Sequence, residues 1–312
     1  SAGHGFDPLC TNVTLMSPGR RAAELAFDAF PPLAALAPLI SGPRLGVAVM
    51  SASYRPAALA AKMATVLDVI SGGRMVVGLG TGSHVGEHEA YGVPFEPPAR
   101  RTRRALDTLA VMRAMFQRPE GATLDGLLRD APNLPAPVRP GGPPIWLAAH
   151  GPRLLRAAGD LADGIVAAFV PPEEVARRLA IARAARDEDL WGPLACALYT
   201  YVLPMPSPAE AHGWLEPEAR ELGTSPAALV RWLRTTGIVG TPDEVRAQLA
   251  AHAAAGVTDA ILVLPSRVPV EALDALAETA LTGPEPMAAA PGRVGVGREG
   301  NLVHLLVERH AA

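Results

Sequence analysis

Between Arg55 and Gly92 the apolar positions change period twice. Behind Pro56, a residue suited to a first helical turn, Leu59, Met63, Val66, Leu67 and Ile70 recur at helical spacing, which predicts a helix with one apolar face. Ser71-Gly72-Gly73 ends it, Arg74 to Leu79 is a short apolar run of strand type, and Gly80-Thr81-Gly82-Ser83 leaves that strand as a glycine-rich loop. Helix, tight turn, strand and open loop make half of an α/β repeat, and the apolar helix face calls for a sheet to pack on. The same alternation predicts strands at 8–13, 44–50, 145–149, 164–169, 194–203 and 259–264, with helices over 102–116, 152–161, 171–187, 241–255 and 268–281 between them. Arg44 to Met50 has no polar alternation, as expected of a strand buried on both faces. Pro31-Pro32 is expected to break a helical stretch running from Arg21 to Ile40. Gln117 to Pro144 holds no sustained period and reads as a long excursion on the rim. Residues 207–234 read as a helical insertion in which Trp214 and Trp232 are expected to pack rather than line a substrate mouth. The run Arg100, Arg101, Arg103, Arg104 reads as a solvated face at the start of the 102–116 helix.

Composition narrows the function classes. At 312 residues and 49% hydrophobic the chain can bury a large core, and a formal net charge of -3 supplies no basic field for nucleic acid. Cys10 and Cys196 are its only cysteines, so there is neither a disulfide framework nor a four-cysteine metal site, which fits a reducing cytoplasm. No apolar run reaches membrane-spanning length, and the expected partner is a small molecule rather than nucleic acid or membrane.

The stretch LDVISGGR, followed by a strand into GLGTGS and an acidic loop closing on AYGVPF, resembles the luciferase-like flavin and deazaflavin oxidoreductases. Weaker echoes occur in the same order at GFD (5–7), PPIWLAAHGPRLL (143–155), ADGIV (162–166) and VGTPDEV (239–245). The resemblance implies a (β/α)8 TIM barrel over residues 1–312, with a homodimer as the candidate assembly, that binds coenzyme F-420 or, alternatively, reduced FMN. Barrel sites lie at the C-terminal ends of the strands, which directs attention to the residues just after them. By the resemblance, Val49, Met50 and Ser51 meet the cofactor ring, with a non-proline cis peptide within Ala48 to Met50, and Thr81, Gly82 and Ser83 lie near its polar edge. Ala149, His150 and Gly151 lead into a helix whose N-terminal N–H groups suit the cofactor phosphate, with Arg153 beside them. The catalytic candidates are His84, a polar group on the ring or substrate side, and Asn12, which stands where relatives carry a proton-transfer His or Glu, in the run Cys10 to Thr14 that offers neither. Thr81 also replaces the Arg of the luciferases. Both departures argue against light emission.

Seven strands are one short of a closed barrel of this family. After a Pro-rich linker at 282–291, a short strand (Arg293 to Gly297) and an amphipathic helix (Asn301 to His310) supply a βα unit at 292–312, so beside the resemblance the expectation is a circularly permuted barrel with its first unit at the C-terminus, the alternative being a C-terminal extension that lies elsewhere.

Three functions are open at this stage. The leading one is hydride transfer to or from a small organic substrate with F-420, or oxygenation with reduced FMN as a monooxygenase. The second is non-catalytic flavin binding. The third is a zinc hydrolase using His84, Glu87 and His88, whose H-x-x-E-H spacing matches an inverted zinc-peptidase motif but follows a glycine loop and lacks a spaced third ligand. The expectation for metal is therefore none.

Overall fold

The computed structural model describes residues 6–11, 27–205, 207–265, 268–281 and 293–298. In chain order the elements are β1 (Leu9–Thr11), α1 (Phe30–Leu36), β2 (Leu45–Ser51), α2 (Ala57–Ile70), β3 (Met75–Gly80), α3 (Val85–Ala90), α4 (Pro98–Gln117), β4 (Ala122–Leu124), β5 (Leu128–Ala131), β6 (Ile145–Ala148) and α5 (Pro152–Leu161). There follow β7 (Gly164–Ala168), α6 (Pro172–Arg183), α7 (Glu188–Trp191), β8 (Ala195–Pro204), α8 (Pro208–Glu221), α9 (Pro226–Thr236), β9 (Gly237–Gly240), α10 (Pro242–Ala254), β10 (Asp259–Leu264), α11 (Val270–Leu281) and β11 (Arg293–Arg298).

Contacts divide the chain into two compact units. In the unit formed by residues 11–166 and 180–195, β2, β3, β6 and β7 run parallel, with Leu45 opposite Met75, Val77 opposite Ile145 and Trp146 opposite Gly164. Leu45, Val47, Met75, Val77, Leu79, Ile145 and Leu147 are buried, and their unbroken apolar runs reflect strands covered on both faces. The face that α2 buries is not the predicted one. Ala60, Ala61, Ala64, Thr65, Leu67 and Asp68 are buried, whereas Leu59, Val66 and Ile70 are exposed. Alanines let the helix axis come close to its neighbours, and of the predicted larger apolar side chains, which dominate a periodicity reading, Leu67 is buried and Met63 half-buried while the other three are turned outward. Pro31-Pro32 open α1, where a missing N–H costs no hydrogen bond, and the part of the predicted 21–40 stretch before residue 27 lies outside the described residues. The 117–144 excursion carries a small antiparallel hairpin, β4 with β5.

In the other unit, residues 1–10, 167–179 and 196–312, β10 lies parallel to β8 with Asp259 opposite Ala197, and β9 extends β8 from Tyr201 opposite Gly237. The strand β9 escapes a sequence reading because its four residues sit between a helix and the Thr241 cap. That cap is a full capping box: Thr241 Oγ1 accepts from Glu244 N and Glu244 Oε2 accepts from Thr241 N. β11 pairs parallel with β10, Asp259 opposite Arg293. The segments 282–292 and 299–312, on which the rest of the permuted unit depends, lie outside the described residues.

Candidate active site

The C-terminal ends of β2, β3 and β6 come to one edge of their shared sheet, and glycine shapes that edge. The register between β2 and β3 slips between Val47 and Met50, and the Ala48–Val49 peptide is cis, at the position where the family resemblance implies one. The bulge needs room on β3. A Cβ on Gly78 would stand 2.5 Å from Val47 O and 2.8 Å from Val49 Cγ1, and one on Gly80 would stand 3.0 Å from Val49 Cγ2 and 3.7 Å from Ala148 Cβ. Gly78 and Gly80, two apart on one strand, therefore clear one face of β3 for Val49, and Val49, Gly80 and Ala148 form a shallow apolar floor across three strands. Of the predicted ring contacts, Val49 is half-buried, while Met50 and Ser51 are buried.

Beyond β3 the loop passes through Gly82 at φ +79, a conformation suited to glycine. A Cβ there would meet Ser51 Oγ at 2.5 Å and His88 Cε1 at 3.3 Å. Thr81 is half-buried and Ser83 exposed. The short helix α3 then turns His84 outward and Glu87 and His88 inward. His88 Nδ1 donates to the His84 carbonyl at 2.8 Å, since a carbonyl can only accept, and the other ring nitrogen, Nε2, is buried and has no hydrogen-bond partner. The ring packs against Tyr54 and Phe95, each at 4.9 Å between centroids. Tyr54 donates to Glu87 Oε2; burial, and then the carboxylate beside it, push the phenol well above its ordinary range, so it stays protonated.

After β6, Ala149 is buried, His150 exposed and Gly151 half-buried as the N-cap of α5. Nothing lies within 4 Å of where a Gly151 side chain would start, and no side chain caps the helix; Pro152 at its first position has no N–H, so its first-turn donors are those of Arg153 and Leu154. Arg153, in that turn, is exposed. This is the arrangement expected of an anion site on a helix N-terminus.

In the other unit Phe169, just after β7 and at φ +52, sets its ring 5.4 Å from Tyr199 and 5.2 Å from Tyr201, and Trp232 on α9 lies 5.3 Å from Tyr201. Trp232 is 48% exposed, so it is not the core residue expected from the sequence; it is the outer end of an aromatic row.

Asn12 lies outside the described residues. His84 and His88 do not converge: the first caps α3 on its exposed side and the second is buried beneath it. Among the described residues no group of three or more His, Cys, Asp and Glu side chains is placed to hold a metal. The hydrolase alternative therefore finds no constellation there, because α3 is one short helix whose two histidines are divided between solvent and core. The residues that sequence reading missed are Gly78, Tyr54 and Arg101. Arg101 belongs to the run expected to be solvated, yet it is half-buried, lies 4.3 Å from the Phe95 ring centroid and donates through Nη1 to the Gly82 carbonyl.

A parallel sheet whose strands carry open, glycine-shaped loops at their C-terminal ends defines a β/α enzyme scaffold of the barrel class. A family profile described as luciferase-like monooxygenase matches residues 3–259. The chain belongs to the luciferase-like monooxygenase family. Its segment of 161 residues is 38% identical to a phthiodiolone/phenolphthiodiolone dimycocerosates ketoreductase from Mycobacterium sp. (strain JLS), covering 49% of this chain and 40% of that protein. This chain thus matches less than half the length of that relative. Among solved structures, an F420-dependent secondary alcohol dehydrogenase in complex with an F420-acetone adduct superposes with a TM-score of 0.74 at 17% identity, over 89% of this chain and 90% of that one. A monooxygenase from Streptomyces bottropensis superposes with a TM-score of 0.71 at 22% identity, over 90% and 89%. At those identities the likeness establishes the fold, a (β/α)8 barrel of TIM type, as the sequence implied. No helix among the described residues is long and apolar enough to cross a membrane.

Proposed function

We propose that the protein is a cytoplasmic oxidoreductase that uses F-420 to transfer hydride to or from a small organic substrate. The carrying observation is the floor at Val49, Gly80 and Ala148 beside an uncapped helix N-terminus at Gly151, within one unit of the fold. The absence of side-chain atoms at Gly80 is a cradle of the kind a planar ring needs, and the open first turn of α5 suits a phosphate, so the residues present fit the cofactor. Val49 and Ser51 would border the ring, with Thr81, Gly82 and Ser83 at its polar edge; Ala149, His150, Gly151 and Arg153 would hold the phosphate end. Bound there, a reduced deazaflavin supplies a hydride, whereas reduced FMN supplies electrons for oxygen chemistry. Tyr54, held protonated, donates to Glu87 on α3. The likeness to a monooxygenase supports the second reading, oxygenation with reduced FMN. The parallel pairing of β11 with β10 supports the further proposal that 292–312 is a displaced first βα unit.

Fluorescence titration of the purified protein with F-420 and with FMN, oxidised and reduced, before and after dialysis against a chelator, separates these readings. F-420 is expected to bind more tightly than FMN and to be indifferent to the chelator. Tighter binding of reduced FMN with oxygen consumption would move the assignment to a monooxygenase, and binding of neither would end the enzymatic reading. In the same titration Gly151→Asp is expected to weaken cofactor binding at least tenfold, about 1.4 kcal/mol, because a carboxylate would stand beside the phosphate. The site has room for the new side chain, so unchanged affinity in this variant would place the phosphate elsewhere.

A further inference from the structure

The loop that leaves β3 has little of its own to hold it. Thr81 and Ser83 are its only side chains between Gly80 and His84, and Gly82 sits at a positive φ with no Cβ. Its shape is nevertheless closed in on three sides. Ser51 from the end of β2 stands at 2.5 Å and His88 Cε1 from α3 at 3.3 Å from the point where a Gly82 Cβ would begin. The third side is Arg101 from α4, which donates through Nη1 to the Gly82 carbonyl.

Each wall is itself fixed. His88 is oriented by its bond to the His84 carbonyl and held between Tyr54 and Phe95. Tyr54 is tied to Glu87, one residue before His88, and its backbone N–H donates to the Ser51 carbonyl. The Arg101 guanidinium lies over the outer face of Phe95, and its Nε donates to the Glu96 carbonyl at 3.0 Å. One planar cation therefore spans a ring face and two backbone carbonyls, a task for the fixed fork of an arginine and not for a single ammonium. The His88 ring carries a second observation. Its Nε2 is fully buried without a partner, a state that costs free energy an apolar ring would not, so this histidine is not placed for stability alone.

We propose that Arg101, acting directly on the Gly82 carbonyl and through Phe95 on His88, is a positioning residue that sets the conformation of the loop Gly80 to Ser83 and thereby the affinity of the site for its cofactor. This rests on the reading of that loop as part of the cofactor site. The bonds of the Arg101 guanidinium go to the Gly82 and Glu96 carbonyls, and neither goes to Val49 or to the α5 N-terminus. The loop is shaped by α3 and α4 rather than by its own turn, so its grip depends on residues that follow it in the chain.

The test uses the full chain in two arms. In the first, amide hydrogen exchange followed by mass spectrometry compares the wild type with Arg101→Met, Arg101→Lys and, as a control from the same helix, Arg103→Met, whose guanidinium is exposed and pairs with Asp107. Arg101→Met is expected to speed exchange across 80–84 about tenfold while β10 keeps its protection, Arg103→Met is expected to change nothing, and Arg101→Lys to fall between. In the second arm, affinity for whichever of F-420 and FMN the wild type binds is expected to fall about tenfold in Arg101→Met and to recover in part in Arg101→Lys. Unchanged exchange at 80–84 in Arg101→Met overturns the proposal, as does faster exchange with unchanged cofactor affinity. Loss of protection in β10 as well would show that Arg101 supports the fold at large, which also overturns it. A wild type that binds neither cofactor defeats the functional reading, and the exchange arm then decides the loop contact by itself.

Discussion

Gly78→Ala is expected to cost about 3 kcal/mol of folding stability, at the upper end of what overpacking a well-filled interior costs. The added Cβ would stand 2.5 Å from Val47 O, 2.8 Å from Val49 Cγ1 and 3.3 Å from Ala48 Cα. Two of those three atoms are backbone, so the clash is not relieved by turning a side chain. Nor is β3 free to withdraw: it is paired on one side with β2 and on the other with β6, where Gly78 stands opposite Trp146. The remaining response is to displace β2 at its bulge, and that moves Val49 off the floor it shares with Gly80 and Ala148. Urea unfolding should therefore show the lost stability, and cofactor titration of the folded fraction should show weaker binding as well. Gly86→Ala, on α3 with nothing within 4 Å, is the matching control and should be neutral or slightly stabilising. A Gly78→Ala midpoint close to the wild type would mean that the β2 bulge yields easily and does not fix the floor.

The sequence makes the strands legible because each is an apolar run set between Gly and Pro punctuation. Asp259–Leu264 has the predicted bounds, and Leu45–Ser51 and Met75–Gly80 are displaced by one residue. Faces are harder. The reading of α2 followed its largest apolar residues, but burial followed the alanines, since close approach of a helix to its neighbours rewards small volume. The arginine run in the first turns of α4 shows the same limit for charge: spacing predicts a solvated face, and Arg103 and Arg104 obey, paired with Asp107 and Glu96, but Arg101 turns to Phe95 and Gly82. No periodicity separates one inward guanidinium from its outward neighbours when the partner is a backbone carbonyl nineteen positions away. A signal for the bulge was present in Gly78-Leu79-Gly80, two glycines on one face of a strand, a spacing that marks close approach of something on that face.

Arg74→Met is expected to destabilise the protein by about 3 kcal/mol without altering the cofactor affinity of the molecules that remain folded. Arg74 closes the motif LDVISGGR, and its guanidinium donates to three carbonyls from three segments: Ser71 at 2.8 Å, Pro43 at 2.9 Å and Ala37 at 2.7 Å. It thereby ties the end of α2, the entry to β2 and the end of α1 to one point. The rest of the motif supports that junction: Ser71 Oγ donates to the Asp68 carbonyl, and the buried Asp68 carboxylate accepts from Val138 N at 2.9 Å. Methionine would keep much of the volume but leave three acceptors without their donor, and charge-assisted bonds to a guanidinium are each worth about 1.5–3 kcal/mol though not additive. Lysine should recover little, because one ammonium cannot meet three carbonyls set around a planar fork. The junction lies at the start of β3, about 16 Å along the strand from the loop at its other end. The motif that carries the family resemblance thus holds the scaffold, at the opposite end of β3 from the loop proposed to meet the cofactor. Thermal unfolding of Arg74→Met and Arg74→Lys beside a cofactor titration checks this division. A tenfold loss of affinity in well-folded Arg74→Met would show that the two ends of β3 are coupled after all.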